Sequence, residues 1–376
     1  MKNRNEQIET AIRKTGYILE LEISNLLEDD GWSIINNRYY IDESTNTQRE
    51  IDIIAYKTSS YEDIRFFYVL LISCKKSDER DWVLISRPVK GRDVNFEFYP
   101  QLTWSNSKIL ELTNFEEKLN SFIEEKCKIN DQNFSKIYGL KNRVYAFQEV
   151  GIDSDKPQND KSIFSSIDSL IKAAHFENKA IKKRRKDDVF YHFNLINIFD
   201  GNMYESLNIG SKIEVNQIES ANYINRYIVG EDDKFYRIGF FTKKLFITKL
   251  VEINNIISIE LDEMKRNIEE FKTNFLTNWE YRQSFSKELL DNIGSYIRTI
   301  ITDSAMYRNK VESLYVVKNS NGDGITIEVD LPEENIEAIN SHQYVMSLVK
   351  KFFKNKCKYE GPIIFGEITY PDDIPF

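Results

Sequence analysis

Apolar residues recur along this chain in two registers. Between about residues 6 and 29 they fall at helical spacing, with Leu19, Ile23, Leu26 and Leu27 in one stripe, and Asp29, Asp30 and Gly31 close the helix. Strand periods follow. Residues 32 to 41 carry Ile34, Ile35 and Tyr39, residues 42 to 48 form a polar turn, and strands are expected at about 49 to 57 and 65 to 76. Residues 86 to 92 read as a loop, 105 to 127 as helix, 143 to 150 as strand, 161 to 181 as helix and 188 to 200 as strand. Short strand-like pieces occupy 202 to 255, including 235 to 241 and 245 to 251. Leu261, Met264, Ile268 and Phe271 then mark one face of a helical region from 256 to 302. Strands at about 313 to 318 and 324 to 331 flank a strong turn signal at 319 to 324, and Pro332 is placed to open a helix to about 354. The pattern predicts an α/β fold in three parts. These are a core over 1–200, a mixed strand and helix extension over 201–280, and a smaller α+β domain over 281–376 for target contacts or oligomerisation.

Two neighbouring strands carry the candidate chemistry. Asp52 interrupts the apolar run 51 to 55, and the run 66 to 74 ends on Lys75 and Lys76. A charge at the edge of a buried strand is costly unless it is paired or binds a metal. Side chains alternate along a strand, so Ser73 and Lys75 share one face while Cys74 and Lys76 take the other. If the two strands pair, Asp52 and Lys75 meet. A carboxylate that holds Mg²⁺ beside a lysine that orients a water is a hydrolytic arrangement. Against this stands a plainer reading, in which Asp52 caps a turn and Lys75 snorkels to water.

These residues resemble the PD-(D/E)xK nuclease superfamily, in its restriction-endonuclease-like branch. There, an acidic residue on a first helix precedes an Asp at the start of one strand, and a (D/E/Q)-x-Lys closes the next. The likeness covers roughly the first 80 residues well and the first 200 loosely. It implies a restriction-endonuclease-like core, a mixed sheet flanked by helices. It also implies metal-dependent hydrolysis of DNA, with Mg²⁺ or Mn²⁺ as cofactor and restriction or defence against foreign DNA as the setting. Asp52 and Lys75 match the motif. Glu20 matches the helical acid by its spacing to Gly31-Trp32, although helix geometry alone does not choose between Glu20 and Glu22. Ser73 departs from the pattern, since a hydroxyl is a poor substitute for a carboxylate on a hard cation. Glu50, two residues before Asp52, is one replacement. The other is a set of Asp52, Glu20, water and the Cys74 backbone carbonyl. A dead site is the third outcome, and with it the rival function: an inactive nuclease-fold protein that binds nucleic acid or a protein partner. Because cutting two strands takes two sites, a homodimer is expected.

Composition narrows the field. A chain of 376 residues with 41% hydrophobic content, 14 Gly and 7 Pro builds sizeable cores. The formal net charge of −9 argues against a general polyanion binder but leaves room for a local basic groove. The run Lys182, Lys183, Arg184, Arg185 and Lys186 is the densest positive patch, a phosphate contact or else a helix C-terminus complementing its dipole; Lys76 is a further phosphate candidate. Three scattered cysteines, no apolar leader and no bilayer-length apolar run suit a soluble, cytoplasmic protein. The three histidines lack metal spacing. No phosphate-binding loop, dinucleotide glycine fingerprint or serine-hydrolase elbow is present.

Overall fold

A computed structural model describes residues 3–43, 45–89, 96–154, 156–301 and 311–368. The chain divides into two compact units. One comprises Met1–Ser107 and Asn114–Glu263, the other Lys108–Thr113 and Met264–Phe376.

The first unit opens with helices α1 (Arg4–Arg13) and α2 (Gly16–Asp29), where one continuous helix was expected. The break falls at Thr15-Gly16, a β-branched residue in extended backbone followed by a poor helix former. An antiparallel meander follows, with β1 (Ser33–Asp42), β2 (Thr47–Tyr61) and β3 (Ile64–Lys76). The β2–β3 turn is only Glu62-Asp63, both at positive φ, and so tighter than the polar stretch suggested. After β4 (Arg80–Pro88), β5 (Leu102–Ser105) and β6 (Asn142–Gly151), helix α6 (Lys161–Arg184) leads into β7 (Val189–Asp200). Helices α3 (Lys108–Leu112), α4 (Phe115–Lys128) and α5 (Gln132–Ile137) lie between β5 and β6 in sequence, and α3 belongs to the second unit. β8 (Met203–Ile209), β9 (Lys212–Ile218), β10 (Ser220–Val229) and β11 (Asp232–Thr242) complete the strands of this unit.

The main sheet is mixed, in the order β1-β2-β3-β7-β11-β10, with β5 also on β7. β3 and β7 run parallel over twelve consecutive pairs, Arg65↔Val189 to Lys76↔Asp200. Both are buried almost throughout, which is why they read in sequence as continuous apolar runs rather than alternating ones. On one face, Leu71, Leu195 and Phe199 pack against Ile163, Ile167, Leu170 and Ala174 of α6 in a single cluster. A second sheet, β6-β4-β8-β9, joins that cluster through Trp82, whose ring stacks on Phe199 at 4.0 Å.

The second unit has a three-stranded sheet of β12 (Tyr315–Lys318), β13 (Ile325–Val329) and β14 (Ile363–Glu367). Helices α8 (Trp279–Gln283), α9 (Ser286–Ile300), α10 (Glu333–Ser341) and α11 (Gln343–Phe352) belong to it.

Several expectations are corrected. The extension expected at 201–280 is not separate, because β10 and β11 lie in the main sheet. The unit boundary falls between Glu263 and Met264 rather than near 280. Residues 245 to 251 are not a strand. They belong to helix α7 (Lys243–Asn274), whose Phe246, Leu250, Ile253 and Ile256 are buried at helical spacing. Residues 86 to 88 close β4 rather than begin a loop, and Lys90, Gly91 and Arg92 lie outside the described residues. The helix expected after Pro332 is divided at His342, whose imidazole accepts from the Val345 N–H.

Trp82 is 1% exposed and closes the end of the cluster nearest Lys75, the register partner of Phe199. Its truncation to alanine is expected to cost about 3–5 kcal/mol in urea unfolding. Retained stability in Trp82→Ala would show that the second sheet does not brace the first.

Candidate active site

The site arises where β2 leaves β3. The two strands pair from Tyr61↔Ile64 up to Ile53↔Ile72 and no further, while β2 stays on β1 to its start. Beyond Ile72 the backbone of β3 therefore needs new partners on that side. Asp52 supplies one. Its Oδ2 accepts the Cys74 backbone N–H at 2.7 Å, the Ser73 hydroxyl at 3.3 Å and Lys75 Nζ at 3.5 Å. Lys75 Nζ also donates to the Cys74 carbonyl at 3.2 Å. Asp52 and Lys75 are 18% and 30% exposed, so the pair is half-sheltered and open to solvent. Among the described residues all three of these bonds fall on one oxygen, leaving Oδ1 for a further partner.

Glu20, on α2, stands in the field of this pair. Burial raises its pKa above the ordinary carboxylate value, and the charges of Asp52 and Glu50 raise it further, while Lys75 opposes them. Its neighbour Glu22 is engaged with Lys243. Glu20 is thus the helical acid whose charge is felt by Asp52, a choice that helix geometry alone left open. Asp52, Ser73 and Lys75 are brought together, with Glu20 in their electrostatic field. Glu50 is exposed and acts on Glu20 only as the weakest of these charges. Asn197, the register partner of Ser73 on β7, is fully buried, and its amide makes no hydrogen bond among the described residues.

Among the described residues no group of three or more His, Cys, Asp and Glu side chains is placed to hold a metal ion. The donor chemistry nevertheless suits a hard divalent cation. Glu20 and Asp52 repel one another across a site with one lysine, and the Cys74 carbonyl adds a neutral oxygen. The Cys74 thiol plays no such part, since burial pushes its pKa well above the usual thiol value.

The basic candidates lie elsewhere. Lys76 points away from Asp52, is ion-paired with Asp200 at 3.0 Å and reaches Asp78 at 3.7 Å. Its cation is already neutralised within the fold. Lys182, Lys183 and Arg184 form the last turn of α6, and Arg185 caps it. Arg184 reaches Glu177 at 3.6 Å, and Arg185 donates to the Tyr191 hydroxyl and lies over Phe67. This run precedes Val189, the register partner of Arg65, so it sits at the opposite end of β3 from Lys75, about 30 Å along the strand. It does not share a phosphate with Asp52. Asp200 was missed in the sequence because its partner lies 124 residues away, and parallel pairing leaves no local signal.

The raised pKa of Glu20 has a consequence for stability. An acid whose folded pKa exceeds its unfolded value contributes fully when protonated and loses that contribution as pH rises through the folded pKa. Glu20→Gln is therefore expected to raise the thermal midpoint at neutral pH, with the gain vanishing below about pH 4. A midpoint unchanged at neutral pH would mean that neither burial nor the charge of Asp52 penalises ionised Glu20.

No family model, no curated protein and no solved structure matches this chain.

Proposed function

We propose that this chain is a metal-dependent nuclease that hydrolyses phosphodiester bonds in DNA, built on a restriction-endonuclease-like core. The observation that carries the reading is the meeting of Asp52 and Lys75 across the point where β2 and β3 part, with the charge of Glu20 on α2 coupled to both. A helix, a three-stranded meander and a lysine ending the third strand form the order the resemblance implies. Restriction or defence is the biological setting that goes with it.

Asp52, Glu20 and the Cys74 carbonyl are the groups that would hold a divalent ion. Such an ion, Mg²⁺ or Mn²⁺, supplies neutralising charge at the scissile phosphate and a lowered pKa for a bound water. The protein's own residues do the rest. Asp52 is fixed by the Cys74 N–H and the Ser73 hydroxyl, so its free oxygen keeps one direction. Lys75 places its amino group at the same spot, where it orients a water and stabilises charge building on the phosphate. Ser73 positions Asp52 rather than replacing the usual carboxylate.

The absence of a three-side-chain metal cluster among the described residues favours a second reading, an inactive nuclease-fold protein that binds nucleic acid or another protein. Plasmid cleavage separates the two. Metal-dependent cutting is expected in the wild type and at least a hundredfold loss in Asp52→Ala and Lys75→Ala. No cutting of modified or unmodified DNA by the wild type would favour the second reading. Cutting that survives Asp52→Ala would place the chemistry elsewhere. A further expectation concerns Ser73→Asp, which returns a carboxylate to the motif. Calorimetry should then show tighter Mn²⁺ binding than in the wild type. Unchanged binding would mean that position 73 does not face the ion.

A further inference from the structure

The first unit holds a buried cation that the candidate active site does not use. Arg237, on β11, is only 7% exposed, and a guanidinium keeps its charge wherever it lies. It donates from Nη1 to Asn222 at 3.1 Å and from Nη2 to Asn194 at 2.6 Å, and it lies over the Tyr138 ring at 4.3 Å. Those partners are neutral, since burial pushes the Tyr138 hydroxyl up to about 12. Among the described residues the Arg237 Nε has no hydrogen-bond partner, and no acid acts on the guanidinium. An interior charge without a counter-charge is among the costliest states a fold can hold.

The buried acid of the same network, Glu260, does not supply the missing charge. Gln101 donates from Nε2 to the Tyr99 carbonyl, so its Oε1 faces His192 Nε2 at 3.0 Å and accepts a proton there. The other imidazole nitrogen, Nδ1, lies 2.9 Å from Glu260 Oε2. If the imidazole is neutral, Nδ1 is an acceptor, and Glu260 is the protonated acid that donates to it. If the imidazole is a cation, Glu260 is its carboxylate. In either arrangement His192 and Glu260 together carry no net charge, and Arg237 stays uncompensated. Burial favours the neutral arrangement, lowering the His192 pKa to about 3 and raising that of Glu260 well above the usual carboxylate value. The Cys127 thiol, which also feels Arg237, is pushed up to about 12 and is neutral too.

A cavity of about 20 Å³ lies beside this cation, lined by Arg237, Tyr68, Tyr138 and Asn194 together with Ile253 and Ile256 of α7. It has room for one water-sized guest and none for a phosphate or a sugar. Asn194 Oδ1 is taken by Arg237, which leaves its NH₂ group as a further donor. We propose that this cavity binds a single monatomic anion of chloride size, held by Arg237 and Asn194. The isoleucine walls keep the local dielectric low, which strengthens the attraction between guanidinium and anion. The site shares no residue with Asp52, Lys75 and Glu20, so its occupancy stabilises the fold whatever reaction the chain performs.

Thermal unfolding of the full chain at neutral pH, in sodium chloride or in sodium gluconate of equal ionic strength, reads the site directly, because gluconate is too large to enter. The midpoint is expected to be higher in chloride and, above the dissociation constant, to rise by about 3 °C for each tenfold increase in concentration. Arg237→Met should abolish the difference between the salts. Glu260→Gln should keep it, because an amide donates to His192 as a neutral acid does. Crystals grown in bromide should show an anomalous peak beside Arg237, a readout that needs no variant to fold. Equal midpoints in the two salts, or a chloride effect that survives Arg237→Met, would overturn the proposal. So would bromide crystals with water alone in the cavity. A chloride effect that appears only in Glu260→Gln would make Glu260 the counter-ion instead.

Discussion

The parallel pairing of β3 with β7 is the constraint on which the rest of the first unit depends. Twelve consecutive pairs, buried on both faces, fix the height of every residue at the end of β3. They set Lys75 beside Phe199, Lys76 beside Asp200 and Ser73 beside Asn197. Parallel strands need a long crossover, and α6 lies across one face of the pair. Lys76 thereby finds its counter-ion, and Lys75 is left to the other side, where Asp52 waits.

The site is a by-product of an ending. A strand that leaves its neighbour exposes main-chain groups, and those groups need partners. Here Asp52 meets the Cys74 N–H, and Lys75 meets the Cys74 carbonyl. The same parting that creates the need for a carboxylate also opens the space in front of it. The other end of β3 is closed instead, since Arg65 pairs with Asp187 and the basic run folds back on Glu177, Tyr191 and Phe67.

Much of this was legible in the chain. The 66 to 74 run and the alternation around Asp52 gave the two strands, their faces and the meeting of Asp52 with Lys75. Local signals failed where tertiary context decided. The aliphatic stretch 245 to 251 suits a strand by composition, yet Phe246, Leu250, Ile253 and Ile256 continue as one helical face into α7. Pro88 and Gly91 suggested a loop, yet residues 86 to 88 still pair with β6. Glu22 is taken up by Lys243, 221 residues away, while Glu20 is coupled to the charge of Asp52, and neither link has a local signal. The mixed α/β architecture agrees with the structure. No helix among the described residues is long and apolar enough to cross a membrane.

The second unit is stitched from two stretches of chain, residues 108–113 and 264–376. Ile109 and Leu110, in the short stretch, are buried. On a ribosome the short stretch emerges more than a hundred residues before the polypeptide that will cover it. Until then those two side chains meet water or a chaperone. The C-terminal third is therefore not an appendage that could be shed or exchanged whole, because a chain cut at the boundary inside α7 would keep a fragment of a unit it no longer possessed.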